Sequence, residues 1–423
     1  MKVVGIIAEY NPFHNGHALL IEKARLGGAT HIVAVMSGNY VQRGEPAIFS
    51  HGVRTKAALE CGADLVLQLP CVYAVSGAQR FARAGVEILD ALGCVDEIVF
   101  GSECGDINEI VSASDAVYSD EIKNELKSEL EKGVSFAAAR ENALRKINKK
   151  AADIIKHPNN ILGVEYVAAI RMLNSRIVPV TYPREGVSHD EEGSDSSIAS
   201  ASYIRKLIRE NEKWTDFLPP KAGLIFSESL ENGEALTDMS KLENSILYKL
   251  RTASAQEFAC LPDISEGIEN RIANAAQRAV SLDEVYDIAK TKRYSHARIR
   301  RIVMNAFLGI TASDAEKTVP YIRVTGFNTE GTKILRNIKG ETKLPVITKA
   351  ADLSCLNDDA KRCLDFWKKY LKNLFAYFER FKNGEPENVH DIKKELPVLF
   401  VSTLLCLPML IDFKLSRLEG LLM

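Results

Sequence analysis

The strongest constraint on this chain is a repeated alternation in its first half between short apolar runs and stretches with helical spacing. Lys2 to Ala8, HIVAVM (31–36), ADLVLQL (63–69), EIVF (97–100) and RIVPVT (176–181) are rich in β-branched residues and barely alternate with polar ones. That is the pattern of strands buried on both faces. Residues 16–27, 50–61, 76–92 and 159–173 lie between them and carry helical periodicity. Helices of that length supply the crossovers that parallel strands need, so the expected fold is α/β, a Rossmann-like domain with a parallel sheet covered on both faces. Residues 106–156 break the alternation with charged helical sequence (SDEIKNELKSELEKG) and are expected to be a helical insertion. After about residue 212, strand runs become rare. Residues 240–252, 266–280, 282–291, 295–308 and 359–383 read as helices, interrupted by an α/β patch holding YIRVTGF (321–327) and LPVIT (344–348). The expected organisation is therefore an α/β domain over 1–212 and a mainly α-helical C-terminal region over 213–423.

Composition narrows the function classes. With 46% apolar and 26% charged residues in 423, the chain can build a core and is not a disordered or fibrous protein. Its net charge of −2 confines any nucleic-acid surface to a local patch. The eight cysteines include no C-x-x-C pair, which argues against zinc ribbons, thioredoxin-like motifs and disulfide frameworks. The apolar run at the N-terminus meets Glu9 too soon for a signal peptide. Val398 to Ile411 is shorter than the roughly 20 residues needed to span a bilayer and contains Pro408, so a buried helix is expected. A reduced, cytoplasmic protein without membrane association is the expectation.

Open parallel sheets bind ligands at the carboxyl ends of their strands. The first such end reads Ala8-Glu9-Tyr10-Asn11-Pro12-Phe13-His14-Asn15-Gly16-His17, and a helix follows. Two imidazoles three residues apart at a helix start can serve one point, where free backbone N–H groups add positive potential. Gly16 leaves room for a phosphate to approach. Such an arrangement suits stabilisation of charge on the α-phosphate during nucleotidyl transfer. A surface histidine pair is the bland alternative, and the position directly after the first strand, with glycine between, favours the functional one. No G-x-G-x-x-G follows this strand, which disfavours a dinucleotide fold. Gly326 to Lys333 approaches a P-loop, but Thr332 and Lys333 stand in the wrong order.

HNGH resembles the H-x-G-H signature of the nucleotidyltransferase superfamily, shared with class I aminoacyl-tRNA synthetases. Ser200-Ala201-Ser202-Tyr203-Ile204-Arg205 resembles the second signature, Ser-Ser-Thr-x-Ile-Arg, with Ala201 and Ser202 as departures. Ser200 and Ser202 would otherwise be N-caps and Arg205 a surface charge. In order along the chain, GIIAEYNPFHNGH, MSGNYVQRGEPAIF (36–49), GADLVLQLP (62–70), FGSE (100–103), NNILGVEY (159–166) and YPREGVSHD (182–190) resemble the bacterial tRNA(Met) cytidine acetate ligase family. The likeness is densest over 1–212 and continues more weakly afterwards, notably in TKRYSHARIRR.

The resemblance implies an ATP-dependent ligase. Acetate and ATP would give acetyl-adenylate and pyrophosphate, and the acetyl group would pass to N4 of the wobble cytidine of elongator tRNA(Met). It implies that Ile7, Ala8, Glu9, Tyr10, Asn11, Pro12, Phe13, His14, Asn15, Gly16, His17, Ala18, Leu19 and Leu20 line the ATP, with His14 and His17 catalytic at the phosphates. Gly101, Asn159, Arg184, Glu185, Ser200 and Ser202 match further nucleotide-contacting positions, with Asn160 an equal alternative to Asn159. Read without the resemblance, Asn159 is a helix cap and Arg184 a solvated strand-end charge. Mg²⁺ is expected with ATP, and the acidic loop 188–195 is one place for it, although a solvated loop is the simpler reading. Residues 37–45 follow the second strand and face the acetate end or the tRNA end.

From Ile288 to Ser313 there is no acidic residue, while Lys290, Lys292, Arg293, Arg298, Arg300 and Arg301 supply six positive charges among Tyr294 and His296. Lys292, Arg293, Arg298 and Arg301 are therefore expected to meet tRNA phosphates. The basic stretch Arg145, Lys146, Lys149, Lys150 and Lys156 reads as a solvated helix face. The main rival is a small-molecule, cofactor-type adenylyltransferase, against which the helical half and its basic helix argue. A class I aminoacyl-tRNA synthetase should carry a Lys-Met-Ser-Lys-Ser-like loop, which is missing, and both histidines argue against a non-catalytic RNA-binding module. The sequence leaves oligomeric state open.

Overall fold

The structure is a computed structural model that describes residues 1–184, 197–235, 239–265 and 267–365. The strands are β1 (Val3–Ala8), β2 (His31–Ser37), β3 (Tyr40–Val41), β4 (Glu45–Pro46), β5 (Leu65–Leu69), β6 (Glu97–Ser102), β7 (Val178–Pro183), β8 (Ile322–Phe327) and β9 (Val346–Ile347). Seven of them form one sheet in the order β7-β6-β1-β2-β5-β8-β9, and β3 and β4 form a separate hairpin. β1 pairs in parallel with β2, Val3 opposite His31 through Ala8 opposite Met36, and in parallel with β6 on its other side. The chain runs outward from β1 through β2 to β5, then returns to β6. Strand order therefore reverses between β1 and β6, which opens a crevice at their carboxyl ends.

Crossovers α1 (Asn15–Leu26), α2 (His51–Glu60), α3 (Cys71–Ala74) and α4 (Ala78–Ala91) join the early strands. The insertion is α5 (Ile107–Val117), α6 (Asp120–Glu131), α7 (Phe136–Ile147) and α8 (Lys149–Ile154), and α9 (Pro158–Met172) leads into β7. Then come α10 (Ala201–Arg209), α11 (Pro220–Glu231), α12 (Ser240–Thr252), α13 (Ala255–Ala259), α14 (Ile268–Arg278), α15 (Leu282–Ala289), α16 (His296–Leu308) and α17 (Ala312–Glu316), with α18 (Thr329–Asn337) between β8 and β9.

Because side chains alternate along a strand, each strand feeds two cores. Val33, Val35, Leu65 and Leu67 pack with Ala82, Val86 and Leu89 of α4 and Val167 of α9 on one face. Ile32, Ala34, Met36 and Val66 pack with Ile21, Ala57, Ala58, Ile204 and Phe226 on the other. This double burial explains why the sequence runs lack polar alternation.

Two features depart from the sequence reading. Residues 321–348, read as a patch inside the helical half, instead extend the sheet: β8 runs antiparallel to β5, and β9 pairs with β8. Leu65 and Leu67 are fully buried, and β8 covers the edge that β5 would otherwise expose. Residue 212 is thus not a boundary of the sheet. The hairpin β3–β4 was not anticipated, since two-residue strands leave no periodicity to read. Among the described residues no helix is long and apolar enough to cross a membrane. Glu185, the acidic stretch 188–195, most of the helix expected over 359–383 and the apolar stretch 398–411 lie outside the described residues.

Candidate active site

His14 is the N-cap of α1. Its Nδ1 accepts the Gly16 backbone N–H at 3.1 Å, and His17 Nδ1 accepts the His14 backbone N–H at 3.2 Å. Two imidazoles thus form the reciprocal bonds that a serine and a glutamate usually form at a helix start. The rings stack with centroids 3.7 Å apart. Since each Nδ1 accepts a bond, the neutral tautomer carries its proton on Nε2, which becomes a donor. Burial pushes the His14 imidazolium down to about 3, with Arg184 and Arg205 adding repulsion. Burial, His14 and Arg184 hold His17 well below its ordinary value. Near pH 7 the pair is two neutral N–H donors at a positive helix end. A Cβ at Gly16 would lie 3.0 Å from His14 Cε1. The space expected for a phosphate is thus taken by the His14 ring, which the glycine lets fold back over the helix start.

Across the crevice, Gly101 of β6 lies under the Arg184 side chain, whose Cγ would be 3.1 Å from a Cβ at 101. Arg184 extends β7 by one residue and donates from its guanidinium to Asn159 Oδ1 at 3.1 Å. Asn159 Nδ2 donates to Glu103 Oε1 at 2.6 Å, and Glu103 Oε2 accepts the Asn160 backbone N–H at 2.8 Å. Asn160 is buried, with Oδ1 accepting Glu103 N–H and Cys104 N–H and Nδ2 donating to Ile154 O. The two neighbours differ in setting: Asn159 is half-buried beside Arg184, whereas Asn160 is buried and ties the end of β6 to α9.

The start of α10 meets the start of α1. Ser200 caps α10 through the Tyr203 N–H, and Asn15 Nδ2 donates to Ser197 O at 2.7 Å. Ser202 lies one turn before Arg205, which is buried and donates to Asn11 O at 2.9 Å and faces Glu45 at 3.7 Å. Arg205 is therefore no surface charge. Arg54 of α2, fully buried, donates to Phe49 O at 3.0 Å and to the carbonyls of Glu9 and Gly38, binding the carboxyl ends of β1 and β2 together. Sequence reasoning missed Arg54, because an arginine in a helix gives no sign of what it faces, and missed Glu103, although both could be checked against strand ends once the topology was known. Ile7 is buried and Ala8 half-buried at the end of β1. Tyr10, Asn11 and Phe13 are buried and Pro12 lies among them, while Ala18, Leu19 and Leu20 are half-buried on α1. Among the described residues no three His, Cys, Asp or Glu side chains converge on a possible metal position.

The basic helix has a different setting from the one expected. Arg298 donates to Asp263 O at 2.8 Å and Ser265 Oγ at 2.6 Å, and Arg301 donates to the Asp263 carboxylate at 3.2 Å. Arg80 of α4 holds the same carboxylate at 3.2 Å. The countercharge absent from 288–313 comes from another segment, so Arg298 and Arg301 form a clasp to Asp263 and α4. Lys292 is exposed, and the Arg293 guanidinium lies against the Gly133 turn. Gly44, at φ +76° in the β3–β4 turn, abuts the backbone of α16: a Cβ there would fall 2.5 Å from Arg301 N. That contact sets α16 beside the strand ends. In the insertion, Arg145, Lys146, Lys150 and Lys156 pair with Glu141, Glu125, Glu109 and Asp153 respectively.

The family described as HIGH Nucleotidyl Transferase matches residues 1–378. A tRNA(Met) cytidine acetate ligase of Thermoanaerobacter sp. (strain X514) is 38% identical over 396 residues, covering 91% of this chain and 96% of the relative. One from Clostridium kluyveri is 40% identical over 367 residues, covering 82% and 90%. Two crystal structures of Thermotoga maritima TmcAL are similar: the apo form at TM-score 0.83 and 32% identity, covering 86% of this chain and 92% of that one, and a form bound with alpha-thio ATP at 0.82 and 33%, covering 89% and 94%.

Proposed function

The chain belongs to the tRNA(Met) cytidine acetate ligase family of HIGH nucleotidyltransferases, and from that premise we propose the reaction that its strand-end crevice performs. It is a ligase that activates acetate with ATP to acetyl-adenylate, releasing pyrophosphate, and transfers the acetyl group to N4 of the wobble cytidine in elongator tRNA(Met). The observation that carries the chemistry is the neutral, stacked His14–His17 pair with both Nε2–H groups free of the helix cap. Donors fixed before substrate arrives stabilise the charge that builds on the α-phosphate without reorganising.

In this reading, acetate oxygen attacks the α-phosphorus and pyrophosphate leaves. Arg184, held by Asn159, neutralises phosphate charge from the side of β7, and the converging N-termini of α1 and α10 add backbone dipoles. Arg54 and Arg205 hold the backbone of 9–11 in place, so the histidines arrive in register with the opposite wall. Glu185 and the loop 188–195 continue the chain from Arg184. Mg²⁺ would enter with the triphosphate, supplying charge neutralisation there, and the described side chains give it no dedicated carboxylate nest. For tRNA, we place the contact on the loop before α16, around Lys292 and Arg293, with Arg298 and Arg301 supporting it as a clasp. The domain division we propose is a catalytic sheet domain over 1–212, completed by residues 321–348, with a helical RNA-binding portion.

The test is incubation with ATP, labelled acetate and unmodified elongator tRNA(Met), followed by nucleoside analysis. Labelled N4-acetylcytidine at the wobble position supports the proposal, and no incorporation of acetate, with pyrophosphate release that needs a nucleotide-like acceptor instead, would move the protein to the cofactor-type adenylyltransferases.

A further inference from the structure

Acetyl transfer to an amine requires a proton acceptor, and the crevice holds few groups able to act as one. His14 and His17 each commit the Nδ1 lone pair to a backbone N–H. Glu103 uses both oxygens at the start of α9. Glu45 faces Arg205 at 3.7 Å. Glu9 differs. It follows the last residue of β1, directly at the switch point, and its Oε1 accepts the Gln42 backbone N–H at 2.8 Å. Among the described residues, Oε2 accepts no hydrogen bond. One oxygen is anchored and the other is uncommitted, which is the geometry of an oriented base.

Resting on the ligase reading above, we propose that Glu9 is the catalytic base of the second half-reaction, taking the proton from the cytidine N4 amine as it attacks the acetyl carbonyl. The amine lone pair forms the new C–N bond. The bond from the carbonyl carbon to the phosphate oxygen breaks, AMP leaves with that electron pair, and the N–H proton passes to Glu9 Oε2. The resulting carboxylic acid returns its proton to solvent, so charge and atoms balance without a further reactant.

The surroundings suit this task. Burial raises the Glu9 carboxyl above its ordinary value, opposed by the Gln42 N–H and by Arg205, Arg43 and Arg54. Those cations, with Tyr166 from α9, are the charged and titratable groups facing it from the hairpin, α2, α10 and α9. The same Arg205 acts on both Glu9 and His14, so the base and the phosphate donors share one wall. A carboxylate whose carboxyl is raised is a stronger base than a free one, and the Gln42 N–H and the three arginines favour its ionised form.

The experiment mixes enzyme preincubated with ATP and acetate with elongator tRNA(Met) in a quench-flow apparatus from pH 5 to 8.5, with acetate-dependent ATP–pyrophosphate exchange measured in parallel. Wild type should show a transfer rate that rises with pH along an acidic limb. In Glu9→Gln the ratio of transfer to exchange should fall on the order of 10²–10⁴-fold and the limb should vanish. Glu9→Asp, which keeps the carboxylate and guards against a misfolded first variant, should retain a limb at reduced rate. A transfer-to-exchange ratio in Glu9→Gln equal to wild type, or a persisting limb, would overturn the proposal and assign Glu9 to holding Gln42. Wild type that makes neither acetate-dependent exchange nor acetylated tRNA would instead overturn the ligase reading itself.

Discussion

His17 has two jobs that substitution can separate. Its Nδ1 closes half of the α1 cap by accepting the His14 N–H, and its Nε2–H is the donor assigned to the α-phosphate. Asparagine at 17 keeps an acceptor close to the Nδ1 position but cannot reach as far as Nε2, whereas alanine loses both. The cap bond, at 3.2 Å, is a long one, so its loss should cost about 0.5–1.5 kcal/mol of stability. Removal of one preorganised donor from a transition state costs roughly 10²–10³ in rate. His17→Ala should therefore lower acetate-dependent exchange by that factor and lower the urea midpoint. His17→Asn should lose about the same rate with little change in stability. Both measurements use the same preparations. Full activity in His17→Asn would refute the assignment, because it would mean that the cap and not the Nε2 donor matters.

Several other outcomes follow from the same geometry. Burial pushes His14 down to about 3 and holds His17 and His51 well below their ordinary value, so all three bind fewer protons folded than unfolded below about pH 6.5. Stability is thus fully present above about pH 6.5 and should fall below it by up to about 1.4 kcal/mol per pH unit for each ring; urea titrations with a flat profile over pH 4–6.5 would contradict the burial argument. Asn160→Ala should destabilise by about 2–4 kcal/mol, since it leaves the N–H groups of Glu103 and Cys104 unpaired and removes one donor from the Ile154 carbonyl, while Asn159→Ala should raise the KM for ATP with a change in stability under about 1 kcal/mol. Gly44→Ala combines a left-handed backbone with overlap on α16, and should impair acetyl transfer to tRNA more than exchange; equal loss of both would show that the hairpin serves only folding. Lys292→Glu should weaken tRNA binding and reduce its salt dependence, whereas Arg298→Ala should act mainly through stability, which filter binding across salt concentrations and urea unfolding would distinguish.

The sheet was readable because burial on both faces writes the same apolar run into each parallel strand, and because HNGH falls where the first run stops. The histidines, Gly101, Asn159, Arg184 and the start of α10 do come together at one crevice, although 159 and 184 are far from 14 in sequence. What escaped the sequence depended on contacts between distant segments. β8 looked like part of a separate patch because nothing local says that an edge strand will pair antiparallel with β5. The interval 288–313 looked uncompensated because its countercharge, Asp263, lies outside it. Arg54 leaves no sign of its role in the sequence, because its partners are backbone carbonyls that include those just after β1 and β2, which no residue pattern records. Asn159 and Asn160 could be told apart only by which one α9 turns toward Glu103 and Cys104 and which toward Arg184.

The central claim is that the crevice activates a carboxylate, and ATP–pyrophosphate exchange with purified protein tests it directly. Exchange that appears only when acetate is present, with His17→Ala lowering it on the order of 10²–10³-fold, is the result expected. Exchange indifferent to acetate, or supported instead by a nucleotide-like acceptor, would contradict it.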